Sequence, residues 1–311
     1  MTSARDRPRV AILLDRPDWH ARRLAAAFAA RDVATRFVRM ADCGFETGAG
    51  PGLAIPGFGP ALPDAAFVRC LPGGSFEQVT LRLGLLHALR HAGRVVCNDA
   101  RSIECCVDKS MTSHLLARAG LPTPETWTVQ SEAQARDVVA RRAGPGRPLV
   151  VKPLFGSQGR GLRLVETPAE LPEPEALAGI YYLQRYVASA LDGWQDERVL
   201  IAGGRALAAM RRRGVSWITN AHQGAHCEAV PLSPESAALA VAAGRAVGAH
   251  YAGVDIIRDR GGRAQVLEVN SMPAWSALQR VHALDVTQAM VDALLDRALA
   301  GLMQRPAAAA S

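Results

Sequence analysis

Lysine is nearly missing from this chain. Of 36 basic residues only Lys109 and Lys152 are lysines, and the remaining 34 are arginines. Asparagine is as scarce, at Asn98, Asn220 and Asn270, and aromatic residues make up only 5% of the 311 positions. A net charge of +7 would ordinarily invite a nucleic-acid partner. Here the arginines are scattered, form no long basic tract and are not interleaved with aromatics, so nucleic acid is not the expected partner. The cysteines (Cys43, Cys70, Cys97, Cys105, Cys106 and Cys227) include no C-x-x-C pair and no zinc spacing. That predicts reduced, packed thiols and a cytoplasmic protein. No apolar run approaches the ~18 residues of a membrane span. Met1–Val10 passes from charged residues straight into a buried-strand pattern, so neither a membrane anchor nor a secretory leader is expected. No G-x-G-x-x-G follows the first strand, which counts against a dinucleotide site there. Where lysine has been displaced almost everywhere, the two that persist mark positions where a guanidinium does not replace a compact ammonium.

What is present suits a sizeable core. Hydrophobic residues make up 49% of the chain, enough for two or three subdomains. Residues 9–14, 34–40, 64–70 and 94–97 read as strands, and 18–31 and 75–91 as helices, giving a doubly wound parallel-sheet domain over 1–100. Helices are predicted at 108–119, from the Ser131 capping box to about 143, at 234–249 and near 285–301. Strands are predicted at 148–153, 162–166, 180–187, 197–202, 205–210, 252–258 and 264–270. The fold class is α/β (α+β), with further units at 101–187 and 188–304 and a frayed tail at 305–311.

The segment Gly253 to Asn270 carries the clearest chemistry. Gly261-Gly262 supplies a two-residue hairpin turn. Symmetric pairing about it sets Asp255 opposite Glu268, with Val254 facing Val269 and Ile256 facing Leu267. Two carboxylates side by side destabilise a hairpin unless a cation lies between them. Asn270 shares the face of Glu268 by the period of two. Asp, Glu and Asn are oxygen donors suited to Mg²⁺ held together with nucleotide phosphates. A second segment, Lys152-Pro-Leu-Phe-Gly-Ser-Gln-Gly-Arg-Gly161, joins two predicted strands. It is neither a Walker loop nor a kinase loop. Gly156, Gly159 and Gly161 let backbone N–H groups approach phosphate oxygens, and Lys152 reaches the same oxygens as a point charge. Loop and hairpin together predict a nucleotide–Mg²⁺ site.

These segments stand in an ordered set that includes Asp108-Lys109, Gly120-Leu-Pro-Thr-Pro124, Val150-Val-Lys-Pro153, Leu183-Gln-Arg-Tyr186, Asp196-Glu-Arg198, Ala209-Met-Arg-Arg-Arg213, Thr219-Asn220, Gly253-Val-Asp255 and Leu267-Glu-Val-Asn270. In order and spacing the set resembles the RimK-like ATP-grasp ligases, from about residue 64 to 290 and more loosely before it. The resemblance implies an ATP-grasp fold behind a Rossmann-like N-terminal domain, with a lid subdomain over 101–187 and a metal-binding subdomain over 188–304. It implies that Lys109, Lys152 and the loop Gly156, Ser157, Gly159 and Gly161 hold ATP phosphates. Gln184, Arg185 and Tyr186 hinge over adenine, largely through backbone groups of Arg185 and Tyr186, and Asp196 holds the ribose. Asp255, Glu268 and Asn270 ligate two Mg²⁺, with Mn²⁺ as the chemical substitute. Arg212 and Asn220 face the transferred phosphoryl group. The reaction implied is ADP-forming amide synthesis through an acyl phosphate.

Two positions depart from the family's pattern: Arg185, where glutamate is frequent, and Ile218, where arginine is frequent. Arg69, at a strand end before a helix, is the candidate for the acceptor carboxylate. The implied partners are a small-molecule carboxylate acceptor and an amino acid, L-glutamate, with the segment from Arg69 to Lys109 most like the glutamate ligases of tetrahydromethanopterin-type pterins. Glutamylation of a protein C-terminus and a non-catalytic nucleotide-binding scaffold are the alternatives. A homo-oligomer is compatible with the sequence.

Overall fold

The computed structural model describes residues 7–48, 50–156, 158–189 and 193–303. Ser157 and the tail expected over 305–311 lie outside the described residues. The first layer contains β1 (Arg9–Leu14), α1 (Trp19–Ala29), β2 (Ala34–Arg39), a small hairpin of β3 (Gly44–Glu46) and β4 (Gly52–Ala54), β5 (Ala65–Val68), α2 (Phe76–His91) and β6 (Val95–Cys97). Its parallel sheet runs β2-β1-β5-β6. Alternation along β1 sends Val10, Ile12 and Leu14 to the α1 face, where Leu24 and Phe28 meet them, and Ala11 and Leu13 to the α2 face, where Leu85 and Leu89 do. Helices thus cover both faces, as a parallel sheet requires.

α3 (Ala100–Val107) and α4 (Lys109–Arg118) lead to a second, antiparallel sheet. It is built from β7 (Thr126–Val129), β8 (Leu149–Lys152), β9 (Arg163–Val165) and β10 (Tyr181–Arg185), in the order β7-β10-β8-β9, with α5 (Glu132–Arg142) on one face. Leu149, Val151, Tyr181 and Leu183 pack beneath α5. Val150, Lys152, Tyr182 and Gln184 therefore share the other face, with Lys152 paired to Tyr182 and Val150 to Gln184.

A third sheet comprises β11 (Trp194–Ala202), β12 (Arg205–Gly214), β13 (His226–Val230), β14 (Tyr251–Arg258) and β15 (Ala264–Asn270), in the order β13-β12-β11-β14-β15. α6 (Pro234–Ala246) covers Val199, Ile201, Ala209, Val254 and Ile256 on one face. The opposite face is apolar at one end, where Leu200, Ala208, Met210 and Tyr251 lie beneath Trp275 and α8 (Val286–Leu295). Its other end carries Asp196, Arg198, Arg212 and Asp255. The short α7 (Ser276–Val281) and α9 (Ala300–Met303) flank α8. Asn98, at the end of β6, is fully buried. It accepts from the N–H groups of His250 and Tyr251 and donates to the carbonyls of Tyr251 and Ser271, tying the first sheet to β14 and to the chain after β15.

Several expectations change. The helix read at 108–119 is preceded by α3, and Asp108 divides the two by capping α4 through its carboxylate. β7 and β13 escaped notice because they are short, half-exposed edge strands. β12 runs on to Gly214 through three arginines that show no apolar alternation; Arg211 and Arg213 face Glu228, and Arg212 faces the opposite way. In the hairpin, Asp255 pairs with Glu268 and Val254 with Val269, but Ile256 pairs with Val266, not Leu267. The turn is one residue longer than a two-residue loop, with Asp259 bonded back to Arg263. A bulge after Asp255 restores the register, so the two offsets cancel at the carboxylate pair.

Candidate active site

Between the second and third sheets lies a cleft that opens to solvent and encloses, with that open mouth, about 840 Å³ of space. Lys109, Lys152, Gly156, Gly159, Gln184, Arg185, Tyr186, Asp196, Arg212, Asn220, Asp255 and Glu268 all line it. Asn270 pairs with Gly253, beside Glu268 on β15. Residues scattered over more than 150 positions thus converge because both sheets turn their polar faces inward.

The two lysines approach from different elements. Lys109 opens α4, and its ammonium donates to the carbonyls of Leu154 (3.1 Å) and Gly156 (2.9 Å), pinning the start of the glycine loop. Lys152 ends β8 and donates to Gln184 Oε1 at 2.7 Å. Gln184 is held in turn, since its amide nitrogen donates to the Tyr182 hydroxyl at 3.1 Å, which lies 2.8 Å from Ser113 Oγ. Burial lowers both ammonium groups, against the pull of Glu268, and brings Lys152 down to about 8 with Lys109 adding to the effect. Neither lysine has a carboxylate in ion-pair contact among the described residues.

The third sheet supplies a buried chain of charges. Arg198 donates twice to Asp255, through Nε to Oδ1 at 2.6 Å and Nη2 to Oδ2 at 2.7 Å. Arg212 reaches the same Asp255 oxygen at 3.0 Å and binds Asp196 bidentately. Burial opposes the charge on Asp255, but the two guanidinium groups outweigh it and hold the carboxyl at about 2. Burial likewise disfavours the Arg212 cation, and Asp196 and Asp255 reverse that, raising it above its ordinary value. Glu268, directly opposite Asp255, has no ion pair within 4 Å among the described residues. With Asp196 and Asp255 matched by Arg212 and Arg198, the cleft leaves Lys109, Lys152 and Arg160 to face Glu268 alone.

The glycine loop is folded over this charge. A Cβ on Gly159, whose φ is +70°, would lie 2.5 Å from Asn220 Oδ1 and 2.7 Å from Ile218, so only glycine permits the approach. Gln223 donates to the Gln158 carbonyl from the same side. Trp217 stands edge-on to Tyr186 at 6.2 Å and closes one wall.

Two expected arginines are engaged elsewhere through their guanidinium groups. Arg185 borders the cleft, but its guanidinium lies 5.6 Å from the Trp127 ring on the α5 face. Its N–H donates to Glu125 and that of Tyr186 to Pro148. Arg69 is engaged, with Nη2 donating to Asp18 at 3.1 Å and the guanidinium stacked 5.4 Å from Trp275, and it is not among the cleft-lining residues. Arg198, to which no motif assigns a role, is the principal partner of Asp255 through its register opposite that carboxylate. Its signal was the i, i+2 spacing from Asp196, which places both on one strand face.

A model of the RimK-like ATP-grasp domain matches residues 106–294. The chain is 32% identical over 239 residues to the tetrahydromethanopterin:alpha-L-glutamate ligase of Methanococcus maripaludis, covering 75% of this chain and 79% of that one. It is 31% identical to the enzyme of the same name from Methanosarcina acetivorans, covering 69% and 74%. Among solved structures, the ATP-grasp ligase PsnB in complex with a minimal precursor, Mg and ADP superposes with a TM-score of 0.70 at 21% identity, over 93% of this chain and 98% of that one. A RimK domain ATP-grasp protein from Sphaerobacter thermophilus superposes with a TM-score of 0.67 at 22% identity, over 91% and 98%. With the family model spanning most of the chain and a polar cleft built from its motifs, this chain belongs to the RimK-like ATP-grasp family of ADP-forming carbon–nitrogen ligases.

Proposed function

We propose that the protein joins L-glutamate through its amino group to a carboxylate on a small acceptor of the tetrahydromethanopterin type, converting ATP to ADP and phosphate. The observation that carries the ATP half is the pair of half-buried ammonium groups, Lys109 and Lys152, with no carboxylate in ion-pair contact among the described residues, in a cleft where cations exceed carboxylates. A polyphosphate completes that balance. The glutamate and the acceptor are proposed from the relatives' activity. Residues 1–100, 101–187 and 188–304 are read as acceptor-side, lid and metal-side units.

The donor set fits Mg²⁺. Asp255, Glu268 and Asn270 offer adjacent hard oxygens, and Glu268 is not engaged in an ion pair among the described residues. We place two ions there; bound, they would neutralise charge on the phosphates. The Asn270 amide donates weakly to the Gly253 carbonyl at 3.5 Å, which assigns its oxygen to the other side. Adenine would be read by the hinge carbonyls and Val187, because the Arg185 and Tyr186 N–H groups already donate within the protein. A carboxylate has more lone pairs than Arg212 uses, so Asp196 can still accept from the ribose.

The chain's own residues supply position and charge. Lys109, Lys152 and the backbone of Gly156 to Gly161 orient the triphosphate, and Arg212 and Asn220 stand where the acceptor carboxylate takes the phosphoryl group. The resulting acyl phosphate is attacked by the amine, the tetrahedral adduct expels phosphate, and an amide forms. Little covalent chemistry is asked of the protein. The lowered Gly159 loop excludes water from the acyl phosphate. Glu268→Gln should fold normally, by circular dichroism, and lose Mg²⁺-dependent turnover by at least ~100-fold. Unimpaired ligation by that variant would remove Glu268 from the site.

A further inference from the structure

Asp255 is proposed above as a metal ligand, yet both its oxygens are already occupied by guanidinium groups. The two arginines are not equivalent. Arg212 is anchored elsewhere, since its bidentate partner is Asp196, its cross-strand neighbour on β11. It reaches Asp255 with a single nitrogen. Arg198 is the cross-strand neighbour of Asp255 on β14, and its two nitrogens go to the two Asp255 oxygens. No other carboxylate pairs with Arg198 among the described residues. Its side chain is 16% exposed and that of Asp255 5%, so the pair is shielded from screening by solvent. Glu268, across the hairpin, has no comparable guanidinium among the described residues.

We propose that Arg198 is a built-in counter-ion that holds Asp255 when no divalent cation is bound, and that the cation must displace it from at least one Asp255 oxygen. The inference rests on the metal-site reading of Asp255 and Glu268. Arg198 acts through Asp255, so it is a positioning residue. It lowers the affinity of the empty site for a divalent cation, because a fixed positive charge about 3 Å from the ligand oxygens repels the incoming ion. It also keeps a buried carboxylate from standing uncompensated in the ion-free protein. On displacement its guanidinium becomes free beside the cleft, available to an anionic group of the substrates, so divalent cation and anionic substrate bind with positive coupling.

The test is Mn²⁺ binding, followed by electron paramagnetic resonance of the free ion. It compares the wild-type protein with Arg198→Met, Arg198→Lys, Glu268→Gln and the double variant Arg198→Met/Glu268→Gln, each confirmed as folded by circular dichroism. Titrations are run alone and with ADP. Arg198→Met should bind Mn²⁺ at least fivefold more tightly than wild type, and Arg198→Lys should fall between them. The melting temperature of Arg198→Met should lie below that of wild type without metal and recover with Mn²⁺. Equal or weaker Mn²⁺ binding by folded Arg198→Met, with or without ADP, overturns the proposal. A purely structural arginine would lower the melting temperature without tightening the ion. The double variant separates the two readings: loss of the gained affinity keeps Glu268 in the metal site, whereas retention moves the ion elsewhere and removes the metal-site reading itself. If Arg198→Met does not fold, Arg198→Lys carries the comparison, and failure of that variant to tighten Mn²⁺ overturns the proposal.

Discussion

At the scale of single residues, function here comes from charges placed where water cannot stabilise them. Lys152 is the clearest instance. Burial lowers its ammonium to about 8, far enough that the folded protein carries a mixture of amine and ammonium near that pH. A polyphosphate held by Lys152, as proposed, favours the ammonium, so nucleotide binding should pull a proton onto it. Calorimetry of Mg-ADP binding at pH 8, in two buffers of different ionisation enthalpy, should show net proton uptake, with affinity falling as pH rises through 8. Lys152→Arg should abolish the uptake, because arginine stays charged; uptake unchanged in that variant would assign the proton to another group. The rarity of lysine made both cleft lysines conspicuous in the sequence, as the rarity of asparagine did Asn98 at the sheet junction and Asn220 in the cleft. Arg198 was not conspicuous, because its spacing from Asp196 is one among many for 34 arginines and gains meaning only with the strand register.

At the scale of elements, strand alternation decides which side chains enter the cleft. β10 directs Tyr182 and Gln184 to it and turns Leu183 and Arg185 to the α5 face. The arginine that departs from the family's pattern thus borders the cleft through its backbone while its guanidinium lies by Trp127, and Arg185→Ala should leave Mg-ADP affinity within about threefold of wild type, a change of roughly 0.7 kcal/mol or less. A larger loss would place its guanidinium in contact with the nucleotide. Asn98 shows the opposite case, one side chain joining separate elements. Asn98→Ala strands buried groups of His250, Tyr251 and Ser271 and should destabilise the protein by about 3 kcal/mol in urea unfolding. A loss under ~0.5 kcal/mol would mean those groups find other partners. Long elements with clean periodicity were legible in advance, as β15 was over its whole length. The bulge after Asp255 was not, since a bulge and a longer turn compensate each other in the pairing of the carboxylates and leave no trace in the alternation. The edge strands β7 and β13 were also missed, because half-exposed strands lack the apolar pattern that marks buried ones.

At the scale of the whole molecule, two antiparallel sheets line one cleft, and the parallel sheet docks against the third sheet beside it. The parallel sheet, the sheet under α5 and the sheet under α6 could be outlined from the order of strands and helices, and the family from the order of motifs. How the first sheet docks could not. Trp275 fills the junction, its indole N–H on Thr287, and Arg69 stacks on it while binding Asp18. Sequence separation of some 200 residues hides such contacts from any local pattern. No helix among the described residues is long and apolar enough to cross a membrane. The central claim, an ADP-forming glutamate ligase acting on a small acceptor, is tested most directly by phosphate release from Mg-ATP with L-glutamate and a tetrahydromethanopterin-type pterin, followed by product mass. A peptide ending in glutamate serves as the second acceptor. The account predicts phosphate release that requires both glutamate and the pterin, with the pterin gaining one or more glutamyl units. Release with the peptide alone would contradict the acceptor, and a folded protein that binds no Mg-ATP would contradict the ligase.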